Sequence, residues 1–162
     1  MTWTTSPQTL CQTIAGQLAA INVAIDEVRT DIALGAAFLP LAAAHAVQTW
    51  SLGTDRLPCL HVYADGDVDI EGQIYTCQDL VIPLTLELRY QTHDHEMAEI
   101  YGHAYARAMI GHLQLQWHLQ AYPGVWLLEA ERGGVELEDA ENMIYLSVVE
   151  AEARLRVARR TA

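Results

Sequence analysis

The chain has 162 residues, 51% of them hydrophobic and 19% charged, with 21 Asp and Glu against 9 Lys and Arg for a formal net charge of −12. That size and composition predict one domain, residues 1–162, with a core of its own, and exclude a disordered tail. The charge argues against a broad phosphate-gripping face; Arg154, Arg156, Arg159 and Arg160 are either a local basic end or a solvated strand edge.

In chain order, Ser6-Pro7 starts a helix, with a hydroxyl cap and proline at the first helical position. Leu10, Ile14, Leu18, Ile21 and Ile25 recur at three and four residues, so one N-terminal helix is expected to about Val28 within residues 1–31. Residues 32–57 are an irregular or partly helical apolar segment. Pro40 opens a short alanine-favoured helix, Leu41–Gln48, ahead of an extended piece at Thr49–Leu52. No Asp, Glu, Lys or Arg occurs from Ile32 to Thr54, but Gly35, Pro40, His45 and Gln48-Thr49 interrupt the roughly 20 apolar residues a membrane helix needs. A core segment or a subunit interface is expected there, with Phe38, Leu41 and Trp50 as interface candidates.

Residues 58–162 are read as a sheet plus a long helix. Cys59-Leu60-His61-Val62-Tyr63 has strand composition, and Asp65, Asp67, Asp69 and Glu71 form an acidic hairpin turn. In the strand Leu80–Gln91, Leu80, Ile82, Leu84, Leu86, Leu88 and Tyr90 make one apolar face, while Thr85, Glu87, Arg89 and Gln91 lie on the other. Pro83 cannot donate to a ladder, which predicts an edge or bulged position. The helix from His93-Asp94-His95-Glu96 places Met97, Ile100, Tyr101, Ala104, Ala108 and Leu115 on a common face. After the turn Pro123-Gly124, strands Val125–Ala130 and Met143–Val157 are joined through Gly133-Gly134 and the acidic run Glu136–Glu141. Charges on the last strand are expected to pair with Glu87 and Arg89. The fold class is α+β: a mainly antiparallel sheet with an N-terminal helix and a second long helix packed on one face.

No constellation carries a catalytic signature. His95, Glu99 and His103 share a helix face but spread the outer ligands about 12 Å apart by the helical rise, so a polar face is preferred to a metal site. The acidic turn places Ile70 and Thr76 where a calcium loop needs Gly and Glu. Ser6, Ser51 and Ser147 lack a nucleophile elbow, and Cys11, Cys59 and Cys77 show no CxxC spacing. Free thiols in a reducing cytoplasm are expected, in the absence of a signal-sequence pattern. The expectation is a non-enzyme without cofactor or metal, which works by its shape.

The order of these elements resembles the tail terminator proteins of tailed bacteriophages, the minor tail protein U type, and their neck relatives. The pattern is an N-terminal helix, the Leu57-Pro58-led strand through Tyr63, the acidic segment Asp65–Glu71, the strand Leu80–Gln91, the helix Asp94–Leu113 and the closing strand Met143–Val157. The resemblance implies a virion protein, free in the host cytoplasm during assembly, that forms a homohexameric ring. The ring would cap the tail tube, meet the neck, connector or sheath proteins, and let DNA pass without specific binding. Asp65, Asp67, Asp69 and Glu71 would then face the assembly or the lumen. Another head–tail connector or tail-completion subunit is the close alternative; a metal- or small-molecule-binding α+β module is the alternative of another class.

Overall fold

The computed structural model describes residues 6–48, 56–65, 69–74 and 77–158, with side chains left out at 69–78 and 157–158. The chain runs α1 (Pro7–Ala15), α2 (Leu18–Asp31), β1 (Ala43–His45), β2 (Cys59–Ala64), β3 (Asp69–Ile74), β4 (Cys77–Gln91), α3 (His95–His118), β5 (Val125–Asp139) and β6 (Ile144–Ala158). Among the described residues the six strands form one sheet in the order β1-β2-β4-β6-β5, with β3 also paired to β4. Only the β1–β2 pair is parallel. The α+β architecture with a mainly antiparallel sheet is therefore as expected.

The single N-terminal helix of the expectation is two. Ser6 Oγ accepts from Thr9 N–H and caps α1, and Leu10, Ile14, Ile21 and Ile25 are buried as their spacing requires. The helix breaks at Gly16-Gln17 because the Gln17 amide is engaged elsewhere. Its Oε1 accepts from His112 Nε2 at 2.9 Å and from the Tyr122 hydroxyl at 2.8 Å. This anchor holds Gln17 at φ −93°, ψ 27°, outside the helical register.

The segment after α2 is also corrected. In place of a helix over 41–48, Ala43–His45 forms β1 against Cys59–His61, so sheet pairing overrides the helical preference of alanine. Asn22 bonds both the N–H and the C=O of Leu41, at 2.8 and 3.0 Å, and the Tyr105 hydroxyl donates to Leu39 O at 2.6 Å. Tied down in this way, Phe38 packs on Tyr101 and Tyr105 under the Arg29 guanidinium. Phe38 and Leu41, the expected interface candidates, lie buried in the domain's own core. Trp50 lies outside the described residues.

Leu80, Ile82, Leu84, Leu86, Leu88 and Tyr90 are all buried, and so are Tyr145, Ser147, Val149, Ala151, Ala153 and Leu155 opposite them. Pro83 sits in a central strand and not at an outer edge. Its C=O accepts from Asp65 N–H at the gap where β2 ends and β3 begins, so no ladder donor is missed on that side. The acidic stretch is not one turn: Asp69 and Glu71 belong to β3 and pair with Val81 and Asp79, while Asp67 lies outside the described residues. β5 continues well past Ala130, through Gly133-Gly134 and the acidic residues as far as Asp139, with three register shifts along β6. Gly133 belongs in this strand because a Cβ there would lie 3.1 Å from Val148.

Asp94 caps α3 through Glu96 N–H and Met97 N–H. The helix lies across the Tyr90–Tyr145–Ser147 surface: Tyr90 donates to Ala98 O, Ser147 to Gly102 O at 2.7 Å, and His95 Nδ1 meets the Tyr145 hydroxyl at 2.6 Å. Helix α2 packs on α3 as well, so the buried set is wider than a stripe and includes Tyr105, Met109, His112 and Leu113. Ile100 and Leu115, grouped on one face with Tyr101 and Ala104 by their spacing, are 45% and 55% exposed.

Candidate functional site: two opposed surfaces

Strand alternation sends the odd positions of β4 and the even positions of β6 to the sheet face away from α3. On that face Glu87 and Glu138 hold Arg89, at 2.6 and 2.7 Å. Burial opposes the Arg89 charge, but the bonds to Glu138 and Glu87 outweigh it and raise its pKa further. Burial together with the neighbouring Glu87 pushes the Tyr63 phenol upward, and its hydroxyl donates to that carboxylate. Arg156 reaches Asp79 at 3.0 Å, and Arg154 reaches Glu152 at 3.2 Å. Charge pairing between the last strand and β4 therefore occurs at Asp79, while Arg89 is held by its own strand and by β5.

Beyond these pairs the face is acidic. Glu129 stands opposite Glu152, and Glu131 opposite Glu150. With Asp65 and Thr85 they line an open cleft of about 470 Å³. Like charges directly opposed across a ladder destabilise it, by about 0.2–1 kcal/mol each. Asp65 is thus the described member of the predicted acidic set that reaches a site, accepting from Thr85 Oγ1 at 3.4 Å.

On the far side of α3, the helices α2 and α3 leave a groove of about 520 Å³ between them. Ala20, Val23, Ala24, Gly111 and Leu115 line it together with the charged Glu27, Asp31 and Arg107. Arg107 pairs with Asp31 at 3.0 Å and also borders Ile110 and Arg132. Sequence reasoning grouped Leu115 on one helix face with Met97, Tyr101 and Ala104, and so missed this groove. Gly111, a residue costly inside a helix, was a signal for it.

The candidate metal residues do not converge. His103 Nε2 lies 3.4 Å from Glu99, while His95 is turned to Tyr145. Cys59 Sγ is 3.8 Å from His61 Nδ1, with the His45 ring 5.4 Å from that of His61. Among the described residues no three His, Cys, Asp or Glu side chains gather into a metal-binding group. Burial pushes the Cys11 thiol up to about 11, away from the thiolate that reactivity requires. No described helix is long and apolar enough to cross a membrane.

These features define a class: an α+β domain whose exposed chemistry lies on two surfaces, one an acidic sheet face and one an apolar groove bordered by Glu27, Asp31 and Arg107. No protein-family model matches the chain, and no curated protein matches it.

Proposed function

We propose that the chain is a structural virion subunit of the tail terminator type, which assembles into a ring, caps the tail tube and joins the tail to the neck. The observation that carries this reading is the pair of opposed surfaces on one small domain. An unfilled apolar groove on the helical side and a carboxylate-rich sheet face on the other are surfaces for protein contact on two sides of a subunit. A heterologous contact of that kind closes into a ring when the rotation allows. The reading also draws on the resemblance of the element order to that family, with two helices and the strand β1 standing where the pattern has one N-terminal helix. In the ring, Asp65 would face the lumen, where like charge lets DNA slide through without sticking.

The test is assembly. Purified protein examined by negative-stain microscopy and light scattering is expected to form rings of uniform size. When added to polymerising tail tube protein, these rings are expected to cap tube ends and limit tube length. A monomer at every concentration, or tubes that grow unaffected, would remove the reading. A head-closure role would show the same rings binding connector protein but not tube ends.

A further inference from the structure

Strand β5 lies at the edge of the sheet and is bonded on one side. Among the described residues it pairs with β6 and with no other strand, and no loop backbone bonds Leu127–Arg132 from the far side. An open row of N–H and C=O groups is a template for another strand, and native sheets blunt it with bulges, charge or cover. β5 shifts register at Val125/Leu127, Arg132/Val135 and Leu137/Asp139. Between the first two shifts, however, Leu127–Arg132 keeps an unbroken register against Arg154–Val149, long enough for a short strand to add.

This straight stretch has two unlike faces. Toward α3 it carries the buried Leu128, the half-buried Ala130 and the exposed Arg132, opposite the buried row Ala153, Ala151 and Val149. Away from α3 it carries Leu127, Glu129 and Glu131. Glu152 and Glu150 stand opposite these glutamates, and Asp65 lies in the same cleft. The nearby cations are engaged: Arg154 with Glu152, Arg156 with Asp79, and Arg89 with Glu87 and Glu138. Among the described residues Glu129, Glu131 and Glu150 form no ion pair.

These charges select the occupant. With the helices of both copies on one side, β5 of a second copy would set Glu129 against Glu131, which like charge disfavours. A strand with Lys or Arg at alternate positions meets both glutamates with opposite charge. Its intervening apolar residues continue the row of Leu128 and Ala130 on the other side.

We propose that the outer edge of Leu127–Arg132 is a strand-addition site for an extended segment of another protein, one that alternates apolar and basic residues. Main-chain bonds to the open edge supply affinity, and the alternation supplies selectivity. At the spacing of neighbouring strands, about 4.8 Å, the basic side chains lie beside Glu129 and Glu131. The opposition of Glu129 to Glu152 and of Glu131 to Glu150 weakens the isolated ladder, and cations on the far flank offset it. The assignment does not rest on the ring reading, because a lone subunit presents the same edge.

The experiment is fluorescence anisotropy on the full chain with a labelled peptide of about eight residues that alternates valine and lysine. Amide hydrogen exchange locates the contact. Binding is expected, with exchange slowed along Leu127–Arg132. A peptide that alternates valine and glutamate is expected not to bind. A valine–lysine peptide N-methylated at every residue keeps its charge but loses its ladder donors, and is expected to bind about tenfold more weakly. The double variant E129Q/E131Q, with circular dichroism as the check on folding, is expected to weaken the valine–lysine peptide by about tenfold. The peptide comparisons use the wild-type chain and decide the question if that variant fails to fold. A valine–lysine peptide that does not bind would overturn the proposal. So would equal binding by its N-methylated form, binding that the folded E129Q/E131Q variant leaves unchanged, or protection elsewhere on the chain. Rings that form while the peptide fails would leave the ring reading in place.

Discussion

His112 makes the fold acid-sensitive by an amount that follows from its surroundings. The ring is buried in α3 and donates from Nε2 to Gln17 Oε1, which also accepts from Tyr122. Burial lowers its pKa to about 4, so the folded protein holds it neutral at pH 7. An unfolded histidine titrates near 6.5. Between those values the unfolded chain binds more protons than the folded one, so stability is complete above about pH 6.5 and declines as the pH falls toward 4. The full gap is worth about 3 kcal/mol, of which about 2 kcal/mol is lost between pH 7 and pH 5. The perturbation is His112→Gln, which keeps an N–H donor but does not titrate. Urea unfolding of both proteins at pH 7, 6 and 5 isolates the effect, because the carboxylates titrate alike in each. The wild type is expected to lose about 2 kcal/mol relative to the variant over that range. Parallel stability curves, or an imidazole that titrates near 6.5 by NMR in the folded protein, would refute the reasoning.

The two helical glycines predict opposite outcomes in chemical denaturation of the subunit. Gly102→Ala drives a Cβ into Val135 and Tyr90 and should cost about 1–3 kcal/mol, while Gly111→Ala meets open space and should gain about 1 kcal/mol. Phe38→Ala should cost about 3–5 kcal/mol and lower the melting temperature, as expected for a core aromatic; unchanged stability with lost assembly would return it to an interface. Glu131→Gln relieves a like-charge pair with Glu150 and should stabilise by a few tenths to about 1 kcal/mol at low salt. That gain should vanish in molar salt, where screening removes the repulsion.

What the sequence made legible was whatever local chemistry decides. The alternation of β4, the inward row of β6, the Ser6 and Asp94 caps and the apolar spacing of α1 and α2 all appear as their residues dictate. The break between α1 and α2 was hidden because the apolar spacing continues across it. The side chains that hold it, His112 and Tyr122, lie 95 and 105 residues away from Gln17. Helices α2 and α3 turn off through Ala33 and Gln120 at positive φ, without the glycine that usually marks such a turn. Gly133-Gly134 gave a turn signal but lies inside β5, where Gly133 makes a close approach to Val148. Of the candidate surfaces, the net charge was visible in the composition. The opposition of Glu129 to Glu152 and of Glu131 to Glu150 exists only once the register of β5 on β6 is known.

That register gives the surface features their meaning. Opposed carboxylates on β5 and β6 weaken the ladder that carries them, and a glycine at 111 weakens the helix that carries it. Neither departure returns anything within the subunit. A chain selected only for its own stability would place alanine at 111 and a neutral or basic residue at 131. Gly102 shows what a glycine required by packing looks like, wedged against Val135 and Tyr90, and Gly111 does not resemble it. Local rules tend to be broken at functional sites, where the loss in the isolated fold is offset by something outside it. Here the losses fall on the acidic sheet face and on the groove between α2 and α3.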